Sequence, residues 1–374
     1  MIRVAFIGLA SKKWMGGLNY FRNLLYAIET FKKDEIEVIV FVGKKIDSEI
    51  KNIYTQYATV VEDSIFDKKS FKWYLMKVEQ KIFDSNFFLS FVLNKYDIKV
   101  LSHANITNVI NIKTINWIPD FQHLYFPHMF SNKEVEERNK KYKTIIEKSD
   151  AIVLSSYNSL RDFKNFTSKN KEKVRVLQFV SQPDRKYYEL TEDHKKILFT
   201  KYNIQEDFFY IPNQFWKHKN HMIVFQAINE LKKEGIVINL VCTGFMDDYR
   251  NKDYIQEIKY FIRSNSLSKN IKLLGLVDYE DVFKLIRFSK AVINPSLFEG
   301  WSSTVEECKS VNKNMILSDI DVHKEQYPEA TFFQKENVES LKSILRDYHP
   351  NSISLSANLI ARTKNFAETY LHTF

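Results

Sequence analysis

The chain has 374 residues, 44% hydrophobic and 27% charged; that is too long for one core, and its make-up excludes a disordered or fibrous protein. No apolar run approaches the ~20 residues of a spanning helix, and Ile2–Gly8 reads as a buried strand, so neither membrane span nor signal peptide is expected. The net charge of +9 lies in residues 1–190, with 31 Lys+Arg against 22 Asp+Glu; residues 191–374 carry 24 of each.

Short β-branched runs alternate with longer helical patterns, the signature of βαβ units on parallel sheets. In the first half, strands are expected at 2–8, 36–43, 98–102, 113–118, 151–155 and 174–179, and helices at 17–32, 70–93, 133–148 and 157–165. A polar stretch from Ser181 to Lys196, containing Pro183, interrupts the rhythm and reads as an interdomain connection. The pattern restarts with strands at 207–211, 237–243, 271–274, 291–294 and 314–318, and helices at 219–233, 252–265, 279–288 and 302–311. A last helix is expected over about 352–372, after Pro350. This order predicts an α/β protein of two doubly wound domains, 1–185 and 195–350, with the terminal helix packing back on the first and ligands held beyond the carboxyl ends of the strands. Cys242 and Cys308 fall in apolar segments and read as core residues of a reducing, cytoplasmic compartment.

Glycine is scarce: eight in the whole chain, so each is expected where no other residue fits. Gly16-Gly17 stands at the first strand-to-helix connection, and Gly244, Gly275 and Gly300 follow predicted strands. A Gly-Gly pair ahead of a helix lets backbone N–H groups approach an anion. It is not the G-x-G-x-x-G of a dinucleotide fold, so a dehydrogenase is not expected.

The richest stretch is Asn294-Pro-Ser-Leu-Phe-Glu299-Gly300-Trp301-Ser302-Ser303-Thr-Val-Glu306-Glu307. A strand ends at Asn294, a loop carries Glu299 and Gly300, and a helix begins at Ser302 or Ser303, with Glu306 spaced from Ser303 as in a capping box. The helix start offers free N–H groups to a diphosphate. Two carboxylates eight residues apart, Glu299 and Glu307, are placed to border one ligand and to hold hydroxyls by charge-assisted bonds. Earlier, Ile211-Pro-Asn213-Gln-Phe-Trp-Lys217-His218-Lys219-Asn220 leaves another strand end, with Lys219 apt to meet developing negative charge. In the first half, Trp117-Ile-Pro119-Asp120-Phe-Gln-His123 offers the Asp120/His123 pair, and His103 and Asn105 end a neighbouring strand.

The Glu299–Glu307 segment resembles the Glu-(seven residues)-Glu motif of the retaining glycosyltransferases of family 4, which have the GT-B fold, including the preceding Pro-Ser-x-Phe and the following Gly. The resemblance implies that Glu299 lies beside the donor sugar, that Glu307 holds the ribose hydroxyls and that Lys219 pairs with the diphosphate. Many members carry an arginine six residues before that lysine; here it is Asn213, and Lys217 or His218 is left to share the charge. Leu274-Gly275-Leu276-Val277 is similar to the family's loop against the nucleotide base, with Phe245 beside it, and residues 117–127 are similar to an acceptor-side His-Asp stretch in which Pro119 replaces the histidine.

The implied substrate is a nucleotide-sugar, and the implied acceptor a glycan or a polyprenyl- or other lipid-linked saccharide of bacterial surface polysaccharide synthesis (lipopolysaccharide, capsule or O-antigen). No cofactor is expected. No metal ion is expected either, because no Asp-x-Asp motif occurs where one is required and Asp247-Asp248 reads as a solvated turn. No nucleic-acid motif is present. Lysines interleaved with aromatics over 66–95 suit an anionic membrane surface and a peripheral location. A nucleotide-sugar epimerase on the same fold, or a catalytically silent sugar-binding subunit of a membrane-associated complex, are the alternatives.

Overall fold

The computed structural model describes residues 1–9, 15–248, 250–350 and 358–374. Its strands form two sheets, parallel throughout. The first comprises β1 (Ile2–Ile7), β2 (Ile36–Val42), β3 (Thr59–Glu62), β4 (Val100–Ser102), β5 (Lys113–Ile118), β6 (Ala151–Leu154) and β7 (Val174–Val176), in the order β3-β2-β1-β4-β5-β6-β7. The second comprises β8 (Phe208–Ile211), β9 (Asn239–Thr243), β10 (Ile271–Gly275), β11 (Val292–Asn294), β12 (Met315–Ser318) and β13 (Thr331–Phe333), in the order β10-β9-β8-β11-β12-β13. Strands such as Phe-Phe-Tyr-Ile at β8 are buried on both faces, which is why they read as unbroken apolar runs. Both orders are doubly wound, so the expected α/β class holds. The winding reverses between β1 and β4 and again between β8 and β11.

The chain divides into two compact units: Met1–Pro127, Ser131–Ser181 and Ala357–Phe374; and His128–Phe130 with Gln182–Ser356. In the first unit the helix Met15–Phe31 packs against the terminal helix Leu359–Leu371. Beneath them Tyr20 stacks on Trp117 at 4.3 Å, and its hydroxyl meets His103 Nε2 at 2.7 Å. Burial drives the His103 pKa down to about 3, so this ring is a neutral core group and not a ligand-facing one. Asn105, two residues on, is exposed.

The single helix expected over 70–93 is two, Phe71–Phe83 and Phe87–Asn94. Asp84 takes the left-handed region (φ 48°), and Asn86 gives the second helix no side-chain cap. The buried Glu79 carboxylate supplies that cap from the preceding helix, accepting from the N–H groups of Phe87 and Phe88 and from Ser85 Oγ.

In the second unit the sheet is covered on both faces. Phe209, Ile211, Val224, Ile228 and Leu240 belong to one core cluster. Tyr210, Leu285, Val305, Cys308 and Leu317 belong to the other. Cys242 and Cys308 are fully buried free thiols whose pKa values burial pushes up. The expected connection at 181–196 already contains a helix start, Glu192–Tyr202. No helix among the described residues is long and apolar enough to cross a membrane.

Candidate active site

Because β8 pairs with β11, the loops leaving their carboxyl ends begin side by side at the reversal point of the second sheet, where doubly wound folds hold ligands. The Leu297 N–H donates to the His218 carbonyl at 2.8 Å and ties one loop to the other. Lys219 closes a short 3-10 turn, Lys217–Lys219, and Asn220 (φ 53°) then swings the chain into the helix His221–Lys233. The Lys219 ammonium therefore points across to the second loop, and Nζ lies 2.6 Å from Glu299 Oε1.

That oxygen also accepts from Ser296 Oγ at 2.7 Å and from Asn294 Nδ2 at 3.5 Å. Glu299 is 9% exposed. Burial by itself would raise its pKa, but the charge of Lys219, with His323 and the hydrogen bonds from Lys219 and Ser296, outweighs it and holds the carboxyl below its usual range. The group is ionised at neutral pH.

Beneath the ion pair runs a buried amide network. Asn213 Nδ2 donates to Asn294 Oδ1 at 2.9 Å, and Asn213 Oδ1 accepts from Thr304 Oγ1 at 3.2 Å. Asn294 Nδ2 in turn donates to Ser302 Oγ at 3.0 Å. Asn213 therefore binds the two loops together without contributing charge. Gly244 meets the same loop from β9: its φ is 137°, and a Cβ there would lie 2.3 Å from the Asn213 carbonyl oxygen. The glycine is required by backbone-to-backbone approach, which the scarcity of glycine had flagged without giving the reason.

Ser302 caps the helix Ser303–Ser310, accepting from the Val305 N–H. The expected capping box from Ser303 to Glu306 does not form. Glu306 is turned inward and accepts from Gln326 Nε2 at 3.1 Å and Lys309 Nζ at 3.4 Å. Gln326, from the helix Asp321–Gln326, clasps the Ser302 backbone on both sides: its Oε1 accepts from Ser302 N at 3.0 Å and its Nε2 donates to Ser302 O at 2.8 Å. The N–H groups of Ser303 and Thr304 remain the first two of the helix without an intramolecular acceptor among the described residues. Glu307 follows on the same helix, 5% exposed, with Tyr279 Oη donating to its Oε1 at 3.3 Å.

Gly300 and Trp301, both half-buried, link Glu299 to the cap. The ends of β9 and β10 are joined by Gly244 N donating to Gly275 O at 2.8 Å; beyond them stand exposed Phe245 and Leu276 and half-buried Val277. Lys217 is exposed, while its N–H donates to Asp248 Oδ2 at 3.1 Å. Asp248 is no solvated turn residue. It is 3% exposed and paired with Arg250 Nε at 3.1 Å. His218 is buried, and desolvation, helped by the charges of Lys219 and Arg250, holds it far below its ordinary pKa, so it is neutral and shares no positive charge.

Four of the expected residues, Gly16, Gly17, Asp120 and His123, belong to the first unit. Gly16 and Gly17 fall inside the first turn of the helix Met15–Phe31, and residues 10–14 before them lie outside the described residues. Half-buried Asp120 accepts from the Gln122 N–H at 2.9 Å in a local turn. His123 is 1% exposed, its Nε2 3.0 Å from Asn139 Oδ1 and its ring edge-on to Tyr142, so burial lowers its pKa and encloses it in the core. Asn294, Ser296, Thr304 and Gln326 were missed. The first three stand within or beside the Glu299 motif, whereas Gln326 comes from a helix with no signal in the sequence.

Among the described residues no group of three or more His, Cys, Asp or Glu side chains is arranged to hold a metal ion. What the site offers is one cation, one helix start and two carboxylates on adjacent loops of a doubly wound sheet. Residues 194–366 match the model of the family described as glycosyl transferases group 1. That stretch of the chain carries the sequence pattern of glycosyl transferases group 1, and the two doubly wound sheets have the GT-B fold.

Among solved structures, Alr3699/HepE of Anabaena, in complex with UDP and glucose, superposes with a TM-score of 0.67 at 13% identity, over 100% of this chain and 96% of that one. Sucrose-phosphate synthase from Thermosynechococcus elongatus gives 0.65 at 12% identity, over 100% and 95%. WaaG, a glycosyltransferase involved in lipopolysaccharide biosynthesis, gives 0.62 at 10% identity, over 100% and 94%. No curated protein sequence matches the chain significantly.

Proposed function

We propose that the protein moves a sugar from a nucleoside-diphosphate donor to a glycan or lipid-linked acceptor, with retention of anomeric configuration, in the assembly of a bacterial surface polysaccharide. The observation that carries this is the Lys219–Glu299 pair, set beside the open start of the helix Ser303–Ser310. A diphosphate leaving group develops negative charge as the glycosidic bond breaks, and a preoriented ammonium and helix N–H groups stabilise charge at that stage. In this reading Lys219 leaves Glu299 for the diphosphate, Glu299 turns to the donor sugar and Glu307 takes the ribose hydroxyls. The transition state is oxocarbenium-like, and the acceptor is deprotonated by the departing phosphate on the same face. Charge neutralisation is assigned to protein groups, with no metal ion. Asp120 is the acceptor-side polar group.

The UDP bound by HepE makes UDP the first nucleotide to try, and the pathway of WaaG motivates the polysaccharide assignment. A thermal-shift series with UDP, GDP, ADP and dTDP, followed by donor hydrolysis, tests the reading. One nucleotide is expected to raise the melting temperature by mass action, and its sugar conjugates to release nucleoside diphosphate. Absence of any stabilising nucleotide would exclude it. Binding without release would favour a silent sugar-binding subunit, and interconversion of donor sugars an epimerase.

A further inference from the structure

The helices Phe71–Phe83 and Phe87–Asn94 turn apolar faces to solvent. At ~100° per residue, Phe71, Tyr74, Leu75, Val78 and Ile82 fall within about a third of the first helix's circumference, and all five are exposed. Phe87, Phe88 and Phe91 of the second helix are exposed as well. Phe71, at 77% accessible, and Phe83, at 72%, stand almost fully out. Single exposed apolar side chains need no explanation, but a concentration of this kind marks a surface that something covers. The hairpin is held in this arrangement from inside: buried Glu79, about a quarter turn round the first helix from the stripe's centre, caps the second, and Met76 and Leu89 anchor the two in the core of the first unit.

Lysines dominate the charge around the patch; the carboxylate at the helix junction, Asp84, is paired with Lys148. Lys77 and Lys81 run along the edge of the apolar stripe, and Lys68 and Lys69 precede it. Lys95 lies over the Phe91 ring at 4.4 Å. Among the described residues none of these five makes an ion pair, whereas Lys72 is paired with Asp63. Apolar residues in the middle with unpaired lysines at the margin fit the boundary of an anionic bilayer, where side chains enter the acyl region and ammonium groups reach lipid phosphates. A second copy of the chain fits less well, since it would bring the same lysine margins to the shared interface.

We infer that the Phe71–Asn94 hairpin is a docking surface for an anionic lipid bilayer. The inference rests on this surface alone and does not depend on the transferase reading.

The test is flotation of the full chain with phosphatidylcholine vesicles, with or without phosphatidylglycerol. Association is expected only with the anionic lipid and is expected to weaken as salt rises. Lys77→Glu/Lys81→Glu should lower binding at least about tenfold. Ile82→Glu/Phe87→Glu should abolish it. Both variants should keep the wild-type melting temperature, since the four side chains are exposed. Equal recovery with neutral vesicles, or none with either, would overturn the inference. So would a dimer that Ile82→Glu/Phe87→Glu dissolves in the absence of vesicle binding, which would give the patch to a second copy.

Discussion

Asn213 hands a side-chain N–H to the Asn294 side-chain oxygen at 2.9 Å, and this bond, with that from the Leu297 N–H to the His218 carbonyl, holds the loop of Lys219 and the loop of Glu299 in register. The position is 3% exposed and already satisfied by Asn294 and Thr304. Asn213→Leu, of similar volume, strands both partners and should cost roughly 1–3 kcal/mol of stability in urea unfolding. It should also lower turnover, since the ion pair above loses its footing. Asn213→Arg should destabilise further, because a second buried cation has no carboxylate waiting for it. An active, fully stable arginine variant would disprove the tying role.

Lys219 and Glu299 should respond differently to truncation. Lys219→Ala should reduce turnover about 10²–10³-fold, the scale of losing one preorganised donor to developing charge. Glu299→Gln should also slow turnover, yet bind free nucleoside diphosphate more tightly than wild type, because Lys219 is released from its counter-charge. Calorimetric titration of both variants distinguishes the outcomes. Weaker diphosphate binding by the glutamine variant would contradict the arrangement.

Gly244→Ala puts a methyl group 2.3 Å from a backbone oxygen at a φ that side chains rarely adopt. Neither atom has a rotamer to escape into, so a loss of roughly 2–3 kcal/mol is expected from denaturant unfolding. Gly235→Ala is the control, since nothing lies within 4 Å of its position; its φ of 80° alone should cost less.

Acid should destabilise the second unit through buried neutral histidines. Burial lowers His323 to about 4, and its Nδ1–H donates to the Ser318 carbonyl at 3.0 Å. The unfolded chain takes up this proton near pH 6.5 and the folded one only near 4, so stability is lost progressively as pH falls through that window. Between pH 7 and 5 this one group should account for about 2 kcal/mol. His323→Asn, which keeps a donor to the carbonyl, should flatten the dependence of melting temperature on pH. Glu299 works at lower pH: its folded carboxyl is held below the usual range, so its contribution persists above the unfolded value and fades only as pH drops past the folded one.

Removal of metal should change nothing. With the diphosphate charge assigned to Lys219 and the N–H groups of Ser303 and Thr304, turnover in EDTA should equal the untreated rate. A loss restored by magnesium would transfer that task to an ion.

The parallel strands were legible because strands buried on both faces leave unbroken apolar runs, and the loops at Lys219 and Glu299 because each directly follows such a run. Local polar geometry was not. Glu306 has the spacing of a capping residue, yet Gln326, twenty residues away, claims it. The break at Asp84 carries neither Gly nor Pro, and the carboxylate that makes it possible, Glu79, lies a turn earlier in the helix. His123 and His103 stand at strand ends like ligand-facing residues, but aromatic neighbours from distant segments enclose them. The short elements Ser48–Thr55, Thr59–Glu62, Asp321–Gln326 and Val338–Arg346 went unassigned, since so few residues show little periodicity.

The 2.6 Å contact between Lys219 and Glu299 also governs what the resting protein ignores. An ammonium already answered by a carboxylate has little to offer inorganic phosphate or other common cellular anions, which must displace a neighbour and bring nothing else to hold. On the proposed reading a nucleotide-sugar brings a ribose and a sugar along with its phosphates, and so engages both acids at once. The pair then works as a latch that a nucleotide opens and a bare anion does not, screening out small phosphates before any chemistry begins.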